Sequence, residues 1–340
     1  MKYYIGIDIG GTNLSTGVVD ENYEIVGRGK LKTEVGRSYE EILADIIETV
    51  RLALADAKLD SEDVRWIGVG CPGFCNPETG TVEYSNNLKW NNVPLAADLE
   101  KAFDRKVYLD NDANAAAYGE YLAGAAKGAK NAVVITLGTG VGAGIIINGK
   151  IFGGSNFAGG EIGHTVIVVD GYECSCGRKG CFEAYCSATG LARMTKEAAE
   201  LHPKSKIKQL VETDGRFSAR TAFNAAKMLD ETGIEVVERY IKHLACGITN
   251  TINVFQPDIL CIGGGVCNEG DALLNPLKEQ VAKDIFSRGS AKNTEICICK
   301  LGNDAGIIGA AMLGKSADTG NILKSVFGAK PAPAPKKQSE

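Results

Sequence analysis

The chain has 340 residues, 44% hydrophobic and 23% charged, enough for a sizeable core in two domains or one two-lobed unit. Its formal net charge of −5 argues against nucleic acid or a membrane surface as the main partner, and no run approaches the ~18 apolar residues of a membrane span. The start, MKYYIGIDIGG, has no apolar signal core behind a basic stretch, which points to a cytosolic protein whose clustered cysteines are metal ligands or buried thiols, not disulfides.

In chain order, Tyr3–Asp8 is a short apolar run ending in an acid and reads as a strand. Gly10, Gly11, Thr12 and Asn13 form a turn, and Ser15–Asp20 a second strand. Residues 38–57 place Ile42, Ile46, Ile47, Val50 and Leu54 on one helical face. Val64–Val69 and Lys106–Leu109 read as strands, and the alanine-rich Asn114–Ala126 as a helix. Residues 132–149 repeat the opening plan about 130 residues on: AVVITL, then GTGVGAG, then IIING. A helix over 234–255 follows from Val237, Tyr240, Leu244, Ile248 and Ile252 in register. Ile259–Gly265 is a strand running into three glycines, with a helix from about Asp271. Strands alternating with helices predict an α/β protein. The Pro/Ala/Lys-rich end, residues 327–340, is expected to be a disordered tail.

The glycine clusters suit anions. A turn with several glycines presents consecutive backbone N–H groups with no side chain in the way. Two such turns from two lobes can clamp a triphosphate, with Thr12 and Thr139 adding hydroxyl donors. Asp8, at the end of the first strand, is placed to hold a hydrated Mg²⁺ beside the phosphates. None of the clusters has the Walker spacing, and none is a glycine-rich dinucleotide fingerprint opening a helix.

The segment GGEIGHTVIVVDGYECSCGRKGCFEAYC, Gly159–Cys186, holds one of three histidines and four of eleven cysteines. His164, Cys174, Cys176 and Cys181 supply the nitrogen and sulfur donors of a closed tetrahedral zinc site. With four protein ligands there is no place for a metal-bound water, so the ion is structural. Cys186 is read as a core residue, as are Cys246, Cys261, Cys297 and Cys299 in their apolar runs. Glu161 and Glu183 flank the ligands, so the ion would fix both carboxylates relative to each other.

DIGGTN, LDNDANAAAYGE, LGTGVGAG, GGEIGH and CSCGRKGCFE occur in that order, and the chain from 1 to about 315 resembles the ROK family of bacterial sugar kinases and repressors. The resemblance implies an actin-like ATPase (ribonuclease H-like) fold. A smaller α/β lobe, residues 1–110 plus about 304–326, would face a larger one, 111–303, that carries the zinc. It implies ATP, Mg²⁺ and Zn²⁺ as cofactors, a hexose as substrate, and a homodimer or higher homo-oligomer. Asp112 matches the catalytic aspartate. Gly73, Asn111, Glu161, His164 and Glu183 match sugar-binding positions, with His164 both a zinc ligand and a face of the sugar pocket. Gly10, Gly11, Thr12, Asn13, Thr139 and Gly140 match the phosphate loops, and Gly263, Gly264 and Gly265 the adenosine side. Many members carry Lys where this chain has Asn13, which leaves Mg²⁺ and backbone dipoles to stabilise more of the phosphate charge. VGCPGF, NNLKW and the cysteine run look most like the glucokinases of the family, so the expected reaction is phosphorylation of the glucose 6-hydroxyl; the alternatives the resemblance leaves open are a kinase of N-acetylglucosamine, N-acetylmannosamine, mannose or fructose and, more remotely, a sugar-responsive regulator. Repressors of the family carry an added N-terminal helix-turn-helix; here the first strand begins at about Tyr3. Asp110 rivals Asp112 as the base, because i and i+2 of an extended segment point the same way.

Overall fold

The computed structural model describes residues 1–316; the tail expected over 327–340 lies outside the described residues. The chain opens with β1 (Tyr3–Ile9), β2 (Asn13–Asp20), β3 (Ile25–Lys32), α1 (Tyr39–Ala57) and β4 (Val64–Cys71). A small antiparallel sheet follows, β5 (Phe74–Asn76), β6 (Thr81–Ser85) and β7 (Trp90–Val93), then α2 (Leu95–Phe103), β8 (Val107–Asn111) and α3 (Asp112–Leu122). The second half runs β9 (Ala132–Leu137), β10 (Val141–Ile147), β11 (Lys150–Ile151), α4 (Phe182–Cys186), α5 (Ala188–Leu201), α6 (Lys206–Asp214), α7 (Ala219–Lys227) and α8 (Glu231–Phe255). It ends with β12 (Ile259–Gly263), α9 (Asp271–Asp284), β13 (Glu295–Ile298) and α10 (Asp304–Ala311).

The internal repeat read from the glycine turns is a repeat of topology. One five-stranded sheet has the order β3-β2-β1-β4-β8 and the other β11-β10-β9-β12-β13. In each, the first strand of the glycine hairpin pairs antiparallel with its successor and parallel with a later strand. Ile5, Ile7 and Ile9 of β1 are fully enclosed, as are Val133, Ile135 and Leu137 of β9. Both strands are near-continuous apolar runs because elements cover both faces of each sheet.

Local chemistry sets the element ends. Ser38 accepts from the Glu41 backbone N–H while the Glu41 carboxylate accepts from that of Ser38, a capping box that starts α1; the helix stops at Lys58 in the left-handed conformation, φ 55. Asn111 caps α3, its side-chain oxygen accepting from the Ala113 and Asn114 backbone N–H groups at 2.9 and 3.3 Å. This helix starts two residues earlier than its alanine content suggested, because the cap lies in the strand-end asparagine.

α3 and α10 lie between the two sheets, and glycine lets them do so. A Cβ on Gly309 would overlap the Ala115 carbonyl, and one on Gly119 would overlap that of Ala305. On the first sheet, Gly6 and Gly68 admit the α10 backbone at Ile307 and Ala310, and Gly144 of β10 admits Ala117 of α3. Backbones at this separation leave no space for rearrangement. The N-terminus of α3 is therefore held rigidly where the two sheets meet.

Candidate active site

A cleft of ≈ 1180 Å³ runs between the two sheets. Its lining includes Asp8 at the end of β1, Gly73 after β4, and Asn111 and Asp112 at the β8–α3 junction. Gly73, at φ 112, accepts from the Asn111 amide at 3.2 Å, and a Cβ there would overlap the Tyr84 carbonyl. That contact ties the small sheet to the cap of α3.

The two rival aspartates part here. β8 ends at Asn111 and Asp112 is the first residue of α3, so the extended geometry that would align 110 with 112 does not hold. Asp110 Oδ1 accepts from the Asn111 backbone N–H at 2.7 Å and from the Asn114 amide at 2.9 Å, and it is absent from the cleft lining. Asp112 lines the cleft, with Oδ1 accepting from the Ala113 N–H at 2.9 Å. Desolvation pushes its carboxyl above the ordinary range; the Ala113 N–H opposes this, and the charge of Glu161 adds to it. Asp8 is pushed up to about 7, by desolvation first and then by the charge of Asp112. Its carboxylate sits where Gly306 of α10 leaves room. A carboxylate raised by a neighbouring carboxylate is one that a cation would stabilise in its charged form.

A stability test measures the cost of charging Asp8 in its buried site. In the unfolded chain Asp8 ionises near 3.8, in the folded protein near 7. The stability carried by its neutral form is present below pH 3.8 and is lost as pH rises through 7. Asp8→Asn is therefore expected to be more stable than the parent at pH 8 without magnesium or nucleotide, by at most about 4 kcal/mol. The gap should close near pH 4. Urea unfolding across pH measures it, and a pH-independent difference would remove the charge explanation.

His164, Cys174, Cys176 and Cys181 come together with all four ligand atoms within 4.8 Å of one another. Cys176 Sγ and Cys181 Sγ are 3.7 Å apart, and Cys174 Sγ lies 3.6 Å from His164 Nδ1. Tetrahedral zinc with ordinary bond lengths needs edges of about 3.8 Å between sulfurs and about 3.6 Å from sulfur to nitrogen. The donor set and spacing fit that ion, and the sulfurs are too far apart for a disulfide. Nδ1 faces the sulfurs, which leaves Nε2 free while the residue lines the cleft. Glu161 and Glu183 also line it, Glu183 from the first turn of α4. Cys186 is fully buried in the core, as its sequence context implied.

The rest of the lining is backbone-rich. Gly138, Gly140 and Val141 of the β9–β10 hairpin, Gly263, Gly264 and Gly265 after β12, and Gly302 with Asn303 before α10 line the cleft. Gly10, Gly11, Thr12, Asn13 and Thr139 are outside the lining; they lie in the hairpin turns beyond Asp8 and beside Gly138 and Gly140. Cys299, read as core packing, is half-buried and lines the cleft, and Cys246 and Cys297 are likewise only half-buried. Cys297 is on the edge strand β13 and Cys299 just beyond it, while Cys246 is in α8; each element buries one face only, which an apolar run cannot reveal.

Several lining residues escaped the sequence reading. Phe74 and Tyr84 are exposed aromatics of the small sheet, their ring centroids 6.3 Å apart, beside Ser85, Asn86 and Asn87. Glu120 is buried, its carboxylate accepting from the Ala125, Lys300 and Leu301 backbone N–H groups. Ser175 lies between two cysteines and bonds Glu183. Phe74, Asn86, Asn87 and Ser175 stand in the runs VGCPGF, NNLKW and CSCGRKGCFE, but nothing local marks them as cleft residues.

The family model described as "ROK family" matches residues 4–317. A glucokinase from Halalkalibacterium halodurans is 38% identical over 318 residues, 93% of this chain and 96% of that protein. A glucokinase from Thermotoga maritima is 36% identical over 91% of this chain and 96% of its own. Among solved structures, that of a ROK family glucokinase from Streptomyces griseus in complex with glucose and AMPPNP superposes with a TM-score of 0.78. It is 33% identical over 92% of this chain and 98% of that one.

Proposed function

The chain belongs to the ROK family, and we propose that within it the protein is an ATP-dependent glucokinase, transferring the γ-phosphoryl group to the 6-hydroxyl of glucose. Its fold is the two-lobed, actin-like α/β architecture of ROK sugar kinases. One observation carries the proposal: the Asp112 carboxylate, at the tip of the rigidly held α3, lines the same cleft as Glu161, His164 and Glu183. The bound glucose and AMPPNP of the Streptomyces griseus relative support the choice of ligands.

Gly73, Asn111, Glu161, His164 and Glu183 hold the sugar. Vicinal hydroxyls both donate and accept, and charged glutamate acceptors make strong, directional bonds with them. Asp112 orients the 6-hydroxyl and accepts its proton as that oxygen bonds to the γ-phosphorus. Burial and the charge of Glu161 raise its pKa, the direction that makes a carboxylate a stronger base. Backbone N–H groups of Gly140 and of Gly10–Asn13, with the Thr12 and Thr139 hydroxyls, cradle the phosphates, and Gly263–Gly265 borders the adenosine. Asp8 would hold Mg²⁺, which when bound would supply charge neutralisation to the phosphates. His164, Cys174, Cys176 and Cys181 would hold zinc, which would supply rigidity. Eleven free cysteines and an ATP donor suit a cytosolic enzyme, and a homodimer, checked by sedimentation, is part of the same proposal.

ADP release measured across hexoses and N-acetylhexosamines tests it. Glucose is expected to have the highest kcat/KM. Preference for N-acetylglucosamine or N-acetylmannosamine would move the assignment to that sugar. No ADP release with any of them would end the kinase proposal.

A further inference from the structure

We propose that Ser175 is a positioning residue that aims Glu183, and that Glu183 ties the sugar subsite to the phosphate-side hairpin, so that sugar and nucleotide bind cooperatively. The proposal rests on the sugar-kinase function above and deepens it.

The two carboxylate oxygens of Glu183 serve different elements. Oε2 accepts from the Val141 backbone N–H at 3.0 Å. Val141 is the first residue of β10, directly after the glycine turn of the hairpin. A Cβ on Gly140 would overlap Oε2, so the turn passes as close to the carboxylate as backbone permits. Oε1 accepts from Ser175 Oγ at 3.1 Å and from Cys174 Sγ at 3.6 Å. A zinc-bound Cys174 is a thiolate with no proton to give, which leaves the Ser175 hydroxyl as the side-chain donor to Oε1. Glu183, Ser175, Gly140 and Val141 all line the cleft.

An ionised carboxylate offers about four lone-pair sites. The protein's own donors leave room on both oxygens for sugar hydroxyls. A sugar bound there immobilises the carboxylate, which immobilises the Val141 N–H and with it the turn from Gly138 to Val141. The nucleotide then meets a turn already set. Linkage makes the effect reciprocal: whatever sugar does for nucleotide affinity, nucleotide does for sugar. Ser175 enters by holding Oε1 in the orientation that keeps Oε2 on Val141.

Calorimetric titration of glucose with and without Mg-AMPPNP reads the coupling directly, on full-length zinc-loaded protein whose metal content is measured. The parent is expected to bind glucose about fivefold or more tightly with the nucleotide analogue present. Ser175→Ala should bring that factor close to one and raise the glucose KM about tenfold, with kcat little changed because Asp112 is untouched. Ser175→Thr, which keeps the hydroxyl, should restore both. A Ser175→Ala protein with the parental KM and coupling factor overturns this inference while leaving the kinase intact, as does a parent without coupling. A parent that binds no hexose overturns both.

Discussion

Asp112→Asn is expected to bind glucose and ATP nearly as the parent does and to lose about 10²–10⁴-fold in kcat. Asparagine keeps the shape and an oxygen that can accept from the Ala113 N–H, as Asp112 Oδ1 does at 2.9 Å. What it loses is the capacity to take the proton of the attacking hydroxyl. The variant should fold well, because a desolvated carboxylate under the charge of Glu161 is replaced by a neutral amide. Asp110→Asn is the paired control. Its side chain bonds the Asn111 N–H and the Asn114 amide, so its effect should fall on the shape of the α3 cap, with kcat kept within about tenfold. Steady-state kinetics decide between them. Turnover kept in Asp112→Asn and lost in Asp110→Asn would reverse the roles.

Removing zinc from the folded protein is expected to raise the glucose KM about 10–100-fold, before far-ultraviolet circular dichroism reports unfolding. The physical reason lies in how little regular secondary structure the ligand segment has, its backbone being held by loop hydrogen bonds such as Cys174 N–H to the Arg178 carbonyl and Gly180 N–H to that of Tyr172. From Gly153 to Cys181 it contains one short 3-10 turn, Ile162–His164, and two isolated bridges, Val166 to Cys181 and Glu173 to Lys179. His164 and Cys181 bracket the chain between Glu161 and Glu183. Without the ion, Glu161 and Glu183 lose their common frame, while the sheets and the core beneath them are undisturbed. Chelation followed by kinetics, with zinc content and circular dichroism measured on one sample, gives the answer. An unchanged KM in zinc-free, folded protein would cut the link between metal and sugar site.

How much of this was legible beforehand depends on the range of the interaction. The repeat of strand, glycine turn and strand was legible at 3–20 and 132–149, because alternating apolar runs and glycines are local features. So were α1 and α8, whose apolar faces recur at helical spacing. The His/Cys cluster was legible for the same reason: its four residues lie within 18 consecutive positions, 164 to 181, and their donor set fits zinc. Sequence alone therefore determined the fold class, the grouping of that quartet and the acids that flank it. Three things were left to the tertiary structure. A strand ends and a helix begins between Asn111 and Asp112, which turns one aspartate into the cleft and the other into a cap network. Glycines 6, 68, 119 and 309 are unremarkable until two helices and two sheets demand their missing side chains. The partners of Glu183, one on its own loop and one 42 residues back on β10, meet only when the second sheet folds. Spacing along a chain reports contacts made within a turn or a loop. Contacts that close over long loops depend on how whole faces pack, and no short window of residues contains that information.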